Sequence, residues 1–266
     1  MLDANRRLGI VEHVEKHGGS SVEELAGAFE VSSATIRRDL TQLQQQGLIE
    51  RAHGGAIPKV PGQSSGRFTG MPEPPILKRA TMQVAEKRAI GRAAAPFVED
   101  GEVLAIGGGT TTAQMIPYIA QRRDLTVITN SLSIASLLAA HPQITTVIVG
   151  GTLRHSEMST LGVLSEEALR NLRADKLFMG SPAVHHEYGF SADDMTEVQS
   201  DRTIMSIAGE ITVLADHTKF GRIATMRQAP ITGVRRLVTD AETSPEMVDA
   251  IREQGVEVDV VELKLS

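Results

Sequence analysis

Glycine and hydroxyl residues follow a short apolar segment near the middle of the chain. Gly107-Gly108-Gly109 and Thr110-Thr111-Thr112 come directly after Val103–Ile106. Backbone N–H groups and threonine hydroxyls at the start of a helix can bind a phosphate or another anion. The spacing is neither that of a Walker motif nor that of a dinucleotide fingerprint, and no lysine follows the glycines. The run predicts an anion-binding turn, although a strand-to-helix turn can also use glycine for geometry alone.

Three further apolar segments also end in small or polar residues. The residues that follow are Asn130-Ser131, Gly150-Gly151 and, in the third case, a loop from Ala215 to Gly221. Ligands of parallel sheets bind beyond the carboxyl ends of the strands, so these loops are expected to meet the glycine-rich turn in one pocket. Glu157 is added because it follows the strand end at Gly150-Gly151, and Lys219 can contact an anion or be a plain surface lysine. The predicted pocket residues are Gly108, Gly109, Thr110, Thr111, Thr112, Asn130, Ser131, Gly151, Glu157 and Lys219.

A second group of candidate residues lies near the N-terminus. Ile36, Leu40 and Leu43 have the spacing of one buried helix face. The residues left on the outer and flanking faces of that helix are Ser33, Thr35, Arg37, Arg38 and Thr41. Short hydroxyls at a helix N-terminus, with arginines one turn further on, suit contacts with DNA phosphates and base edges.

The same residues also allow a structural interpretation. Arg38 can pair with Asp39 or Glu30 as a solvated surface charge, and Arg37 is similar. Asp39 is more readily an orienting partner for an arginine than a base contact. Arg51 and His53 lie in a predicted hairpin that can touch the DNA backbone, but His53 can equally be an ordinary turn residue.

Local signals place this helix in a small helical unit. Ser21 and Glu24 have the spacing of a capping box, and Ser32 or Ser33 can cap the third helix. Gly47 is expected to end that helix, and a hairpin follows. The order of helix, helix, tight turn, helix and β-wing is that of helix-turn-helix proteins, which place the second helix of the pair in the major groove.

The larger part of the chain alternates between apolar strands and helices. The strands are predicted at Val103–Ile106, Thr126–Thr129, Thr146–Val149, Leu177–Met179, Ile211–Leu214, Arg236–Thr239 and Val256–Val260. The helices are predicted at Val84–Phe97, Thr111–Gln121, Ser131–Ala140, Leu164–Arg173, Val198–Ala208 and Pro245–Gln254. This alternation predicts an α/β fold with a parallel sheet that is covered on both faces.

A segment rich in proline, glycine and serine separates the two parts. We predict a DNA-binding domain over residues 1–57, a linker over 58–80 and a ligand-sensing domain over 81–266. The length of 266 residues is consistent with two unequal domains.

Composition excludes several classes of function. Cysteine is absent, which excludes disulfides, thiolate catalysis and cysteine-based metal sites. Aromatic residues make up 3% of the chain, too few for base-stacking platforms. No apolar run approaches the ~20 residues of a membrane-spanning helix, so a cytoplasmic protein is expected. His185-His186-Glu187 invites a metal site, but adjacent loop residues rarely converge on one ion. We expect neither a metal nor a cofactor.

Both halves resemble the DeoR family of bacterial transcription regulators. The first half does so through Val31–Leu40, Leu43, Gly47–Ile49, Arg51 and His53–Ala56. The second half does so through Gly109–Thr112, Thr126–Ser131, Gly150-Gly151, Gly162 and Ala215–Gly221. The resemblance implies a winged helix-turn-helix domain and a Rossmann-like sensor domain, related in fold to ribose-phosphate isomerase and glucosamine-phosphate deaminase. It also implies a repressor of a carbohydrate catabolism operon that binds double-stranded operator DNA and is relieved by a sugar phosphate. The mechanism that we expect uses a homo-oligomer, a dimer or a tetramer.

Some positions depart from the family pattern. Gly107-Gly108 stands where an acidic residue or serine is common, Ser181–His186 replaces a stretch that often contains glycine, and Asp201 replaces a basic residue. These departures leave the identity of the sugar open. Two alternatives remain: a sugar-phosphate isomerase or deaminase with a DNA-binding appendage, and an activator built from the same parts.

Overall fold

The computed structural model divides the chain into two compact units, Met1–Ser65 and Gly66–Ser266. The described residues are 6–7, 9–11, 13–14, 19–45, 48–52, 54–58 and 73–263. None of the helices within these ranges is long and apolar enough to cross a membrane.

The first unit is built of helices and a small antiparallel sheet. Residues 6–7, 9–11 and 13–14 are helical. The further elements are β1 (Ser20–Ser21), α1 (Val22–Ala28), α2 (Ser33–Gln45), β2 (Ile49–Ala52) and β3 (Gly55–Pro58). The predicted capping box is confirmed, because the Ser21 N–H donates to Glu24 (2.8 Å) and the Glu24 N–H donates to Ser21 Oγ (3.1 Å). Ser32 caps α2, since its Oγ accepts from the Thr35 N–H at 3.2 Å.

The core of the first unit lies against α2. Ile36, Leu40 and Leu43 are buried as predicted, among apolar residues that include Ile10 and Leu25. Strands β2 and β3 form an antiparallel hairpin that turns at Gly54, whose φ of +81° favours glycine. Strand β1 adds a third strand that the sequence analysis did not predict. Gly47 and His53 lie outside the described residues.

The second unit contains a seven-stranded, all-parallel sheet. Its strands, in spatial order, are β15 (Glu257–Val261), β14 (Arg236–Asp240), β12 (Ala208–Leu214), β9 (Ala174–Met179), β4 (Val103–Ile106), β5 (Thr126–Thr129) and β6 (Thr145–Ile148). All seven predicted strands are confirmed within a few residues of their predicted ends. The α/β fold class is confirmed with them.

Helices cover the sheet, and two apolar cores lie on its opposite faces. The helices are α3 (Ile76–Arg79), α4 (Val84–Ala94), α5 (Thr110–Ala113), α6 (Ile116–Ile119), α7 (Leu132–Leu138), α8 (Val163–Arg170), α9 (Met195–Ser206) and α10 (Pro245–Arg252). Within β4, Leu104 and Ile106 belong to one core and Ala105 to the other, because successive side chains of a strand point to opposite faces.

Two predictions for this unit need correction. The single helix predicted over Thr111–Gln121 is two short helices, α5 and α6. Pro117 lies in the first turn of α6, where the backbone N–H that proline lacks would have no partner within the helix. In the middle of a continuous helix, the proline ring would clash with the preceding turn and remove a hydrogen bond. Two antiparallel sheets were also missed, and their short strands are β7 (Thr152–Arg154) with β8 (Ser159–Leu161), and β10 (Ala183–His185) with β11 (Gly189–Ala192) and β13 (Met226–Ala229).

The end of the predicted linker belongs to the second unit. Residues 73–80 pack there: α3 begins after Pro75, Ile76 is buried, and the Ile76 N–H donates to the Ser156 carbonyl at 2.9 Å. These residues are thus part of the packed second unit, and the predicted domain boundaries, with the linker over 58–80, stay predictions. This packing could not be predicted from the composition, because a segment with several prolines is typical of a linker.

Candidate functional site

A cavity lies where the strand order of the large sheet reverses. The chain runs outward from β4 to β5 and β6 on one side, and to β9 and the later strands on the other. The loops that follow β4 and β9 diverge at this point and leave a crevice, which is the usual ligand site of such sheets. Gly107, just after β4, donates its N–H to the carbonyl of Phe178 in β9 at 2.9 Å. This hydrogen bond fixes the start of the glycine-rich turn against β9.

Most of the predicted pocket residues line this cavity. They are Gly108, Gly109, Thr110, Thr111, Asn130, Glu157 and Lys219. Asn130 donates its side-chain N–H to the Thr160 carbonyl at 3.0 Å, which holds the amide at the cavity wall. Backbone N–H groups in the first turn of α5 have no partner within the helix, so they and the threonine hydroxyls can serve a ligand.

Three predicted pocket residues do not line the cavity. Thr112 is fully buried and donates its hydroxyl to the carbonyls of Gly107 (2.9 Å) and Gly109 (3.1 Å), so it shapes the turn. Ser131 caps α7 by accepting from the Ile134 N–H at 3.4 Å. A Cβ on Gly151 would lie 2.7 Å from the Leu161 carbonyl oxygen, so this glycine allows β7 and β8 to approach. These three residues therefore shape the backbone around the cavity and do not form its lining.

A chain of ion pairs crosses the cavity wall. Lys219 pairs with Glu73, Glu73 pairs with Arg79 at 2.6 Å, and Arg79 pairs with Glu157. All four side chains are mostly buried. Burial raises the pKa of Glu157, and the positive charge of Arg79 opposes that shift. The segment from Glu73 to Arg79 is therefore fastened to the loop after β12 and to the turn between β7 and β8.

Lys87 holds the C-terminal end of the segment from Glu73 to Arg79 by hydrogen bonds. Its ammonium group donates to the carbonyls of Arg79 (2.7 Å) and Met82 (2.6 Å). Burial lowers the pKa of Lys87, the negative charge of Asp216 opposes this shift, and the charges of Lys219 and Arg79 add to it. A buried cation with two carbonyl partners favours one conformation of the turn after α3.

The loop that carries Lys219 is also fixed by hydrogen bonds. Asp216 is buried and accepts from the Thr218 N–H at 3.1 Å. His217 Nδ1 lies 2.9 Å from Asp240 Oδ1 at the end of β14, and the His217 N–H donates to the same carboxylate at 2.8 Å. These contacts hold the backbone on both sides of Lys219.

Another carboxyl group at the cavity has no cationic partner in direct contact within the described part of the chain. Asp201, on α9, accepts from the side-chain N–H of Gln228 at 2.5 Å. Gln228 in turn accepts from the Ser181 hydroxyl at 2.9 Å, and all three residues line the cavity. Burial raises the pKa of Asp201 to about 8, and the nearby carboxylate of Glu197 adds to the shift.

Several residues of this wall were not predicted from the sequence. Glu73, Arg79, Glu197, Ser181 and Gln228 line the cavity but were not predicted. Asp201 was noticed only as a departure from the family pattern. Glu73 and Arg79 gave no signal because they lie in a proline-rich segment, and Gln228 lies on a short strand that no periodicity revealed.

The candidate nucleic-acid interface is the outer face of α2. Arg37, Arg38 and Thr41 are exposed, and Ser33 and Thr35 are partly buried near the start of the helix. Neither arginine has an ion pair with any residue that the structure describes. The Thr41 hydroxyl donates to the Arg37 carbonyl at 2.8 Å. The side chain of Arg51 and the whole of His53 lie outside the described residues.

Asp39 points away from that face. It is buried and accepts from Arg6 Nε at 2.7 Å, with Arg7 Nε 3.8 Å away. The acid in this helix is thus an orienting partner for an arginine, but the arginine comes from the first helix and is not Arg38. The pair fastens α2 to the N-terminal helix and leaves Arg37 and Arg38 accessible.

Histidines do not form a metal site in the described residues. His185 and His186 stack on each other at 4.7 Å, and no group of three or more potential ligands comes together in the ranges described. The expectation of no metal stays a prediction.

Comparison with known families matches each unit separately. Residues 6–59 match the DeoR-like helix-turn-helix domain, and residues 82–241 match the DeoR C-terminal sensor domain. The chain belongs to the DeoR family of transcription regulators. The resemblance inferred from the sequence is confirmed, and α2 is the third helix of a DeoR-type DNA-binding domain.

Curated relatives cover most of this DeoR-family chain. The uncharacterised regulator FruR of Bacillus subtilis is 33% identical over 91% of this chain and 93% of its own length. The glycerol-3-phosphate regulon repressor of Escherichia coli is 29% identical over 98% and 100%, and the regulator IolR of Bacillus subtilis is 29% identical over 92% and 94%. Among solved structures, ribose 5-phosphate isomerase A of Neisseria gonorrhoeae overlaps 51% of this chain and 53% of its own, with 16% identity and a TM-score of 0.37.

Proposed function

We propose that this DeoR-family regulator is a repressor of a carbohydrate catabolism operon and that a phosphorylated sugar relieves repression. The proposal assigns double-stranded operator DNA to the exposed face of α2 and the effector to the cavity at the strand ends. The relatives support the class of regulated genes, since one of them is a glycerol-3-phosphate regulon repressor.

The ion pair between Lys219 and Glu73 is the observation that carries the proposal. Lys219 is a cation at the ligand edge of the sheet, and its partner is a carboxylate from the first described residue of the second unit. A phosphate that binds Lys219 competes with Glu73 for the same ammonium group. Effector binding therefore releases the segment that leads directly into the linker and the DNA-binding unit.

This exchange supplies a difference in affinity between two states of the protein. A ligand shifts a conformational equilibrium only when it binds one state more tightly, and here the tighter state is the one with Glu73 displaced. Coupling between two sites is typically about 1–3 kcal/mol, which corresponds to about 5–150-fold in DNA affinity.

The protein binds DNA as a homo-oligomer, a dimer or a tetramer. Paired copies of α2 would then contact half-sites one helical turn, or a multiple of it, apart. Arg37 and Arg38 contact phosphates or bases, Ser33, Thr35 and Thr41 support them, and Arg51 and His53 contact the backbone. A cytoplasmic location stays part of this proposal.

An enzyme that turns over a sugar phosphate is the second candidate. The observation that favours it is the pair of carboxyl groups Glu157 and Asp201, whose raised pKa values are common among proton-transfer residues. We infer that the protein is not an enzyme, because the attached DNA-binding domain makes regulation the simpler use of the cavity. Incubation of the pure protein with sugar phosphates separates the two, since turnover would contradict this inference.

The test of the effector class is thermal stability with a panel of hexose and pentose phosphates, each paired with its free sugar. A ligand at 100 times its dissociation constant adds about 2.7 kcal/mol to the free energy of unfolding. We expect at least one phosphate to stabilise the protein while its free sugar does not. Lys219→Met should remove the effect, and Lys78→Met, at an exposed lysine of α3, should keep it. Equal stabilisation by the free sugars would contradict the proposal.

A further inference from the structure

The cavity holds more acidic than basic groups. Among the described residues that line it, Arg79 and Lys219 are cationic, while Glu73, Glu157, Glu197 and Asp201 carry carboxyl groups. Both cations already pair with carboxylates across the cavity wall. A phosphate that displaces Glu73 from Lys219 takes away that partner of the carboxylate and adds negative charge of its own, so a cationic group elsewhere in the ligand is favoured.

Asp201 differs from the other acids of the cavity in its partner. Glu73 and Glu157 are paired with Arg79, and Glu197 lies 2.6 Å from Arg154. Asp201 accepts a hydrogen bond from the neutral amide of Gln228, and that amide is itself held by Ser181. A buried carboxylate without a counter-charge is unfavourable, which is why burial and Glu197 raise the pKa of Asp201 to about 8. Arg154 opposes the shift and Glu157 adds to it.

A ligand can satisfy this group in two ways. A hydroxyl can accept the proton of the neutral acid in a hydrogen bond. An ammonium group can instead pair with the ionised carboxylate, and it is attracted at the same time by Glu197 and Glu157. The ammonium group also offsets the negative charge that the phosphate and the displaced Glu73 add to the cavity, which a hydroxyl does not, so the charges favour the ammonium group.

We propose that the effector carries an ammonium group in addition to its phosphate, as a phosphorylated amino sugar does, and that Asp201 selects it. This inference rests on the proposed function, since it uses the same cavity and assigns the phosphate to Lys219. It narrows the ligand from sugar phosphates in general to zwitterionic ones, and it makes Asp201 the specificity-determining residue.

Binding should then displace a proton from Asp201. In the ligand-free protein at pH 7 the group is mostly protonated, and in the complex it is ionised beside the ammonium group. About one proton should be released per ligand bound at pH 7. A neutral sugar phosphate that accepts a hydrogen bond from the acid releases no proton from Asp201.

The experiment is isothermal titration calorimetry of the full chain at pH 7, in two buffers of different ionisation enthalpy. The probes are the 6-phosphates of glucosamine, galactosamine and mannosamine, each matched with its hexose 6-phosphate and its N-acetyl derivative. We expect one amine to bind about 10-fold or more tightly than both matched compounds, with proton release. Asp201→Asn should reduce that preference about 10-fold and abolish the release, whereas Asp249→Asn, at an exposed aspartate of α10, should change neither.

The outcomes separate this inference from the proposed function. If neutral sugar phosphates bind as tightly as the amines, or if Asp201→Asn keeps the preference and the proton release, the inference is wrong and the proposed function stands. If no phosphorylated compound binds the native protein, both are contradicted.

Discussion

Glu73 and Lys219, 146 positions apart in the chain, form an ion pair in the wall of the cavity. The other carboxylate oxygen of Glu73 accepts from Arg79 at 2.6 Å. Side chains of Glu73 and Lys219 are only 12% and 15% exposed, so the pair is largely shielded from bulk water. In the proposed function, the carboxylate of Glu73 occupies the place that the phosphate of the effector takes.

Removal of the Glu73 charge should strengthen ligand binding. Glu73→Gln leaves Lys219 without its ionised partner, so a phosphate gains the ammonium group without first breaking a pair. We expect sugar phosphates and inorganic phosphate to bind about 10-fold more tightly, equivalent to about 1.4 kcal/mol, by calorimetry. Glu167→Gln, at an exposed position of α8, is the matched control. Weaker binding by Glu73→Gln would mean that Glu73 helps to hold the ligand.

Loss of an exposed arginine from α2 should weaken DNA binding without loss of folding. Arg38→Ala removes a side chain that is exposed and unpaired within the described residues, so the melting temperature should stay within a degree or two. Affinity for duplexes that the native protein selects from a random pool should fall by about 1–3 kcal/mol. Arg88→Ala, at an exposed position of α4, is the control. Unchanged DNA affinity for Arg38→Ala would remove this residue from the interface.

Asp39, the neighbour of Arg38, should behave in the opposite way. Asp39→Ala removes the buried carboxylate that accepts from Arg6 Nε, and breaking a buried ion pair at one partner typically costs about 3–5 kcal/mol. We expect a clear drop in the melting temperature of the first unit. The double variant Arg6→Met with Asp39→Ala should recover part of the loss, since the buried charge that lost Asp39 is removed as well. If both variants melt like the native protein, the pair contributes little to the stability of the unit.

Asp201 should make stability depend on pH. Its pKa of about 8 in the folded chain lies above the value of an exposed aspartate, so the folded state holds a proton that the unfolded state has lost. This contribution is largest at low pH and declines as the pH rises from about 4 to about 8. Thermal unfolding at several pH values should show Asp201→Asn gaining stability relative to the native chain as the pH increases. A constant difference across that range would contradict the raised pKa.

The regular parts of the fold were predictable because their signals are local. A short segment rich in β-branched residues, such as Thr126–Thr129, predicts a buried strand, and the pair of Ser21 and Glu24 predicts the start of a helix. Polar residues after these strands also placed much of the cavity, because the carboxyl ends of parallel strands meet at one edge of the sheet.

The remainder depends on contacts between distant residues. No residue near Glu73 in the sequence indicates that it pairs with Lys219, and a charged side chain in a proline-rich segment is usually exposed to solvent. Thr112 was predicted to contact ligand, but its hydroxyl serves the carbonyls of its own turn, a choice that only the backbone geometry decides. Asp201 could be recognised as unusual in the sequence, yet its lack of a cationic partner among the described residues is a property of the folded chain.

Release of DNA by a phosphorylated sugar tests the account most directly. Fluorescence anisotropy of the full-length protein on its selected duplex should be measured with each sugar phosphate and its free sugar, for the native chain and for Lys219→Met. We predict that one phosphate weakens DNA binding of the native protein about 5-fold or more, and that its free sugar does not. Lys219→Met should bind the duplex but ignore the phosphate. Equal DNA affinity with and without every phosphate, or an unchanged response in Lys219→Met, would contradict the account.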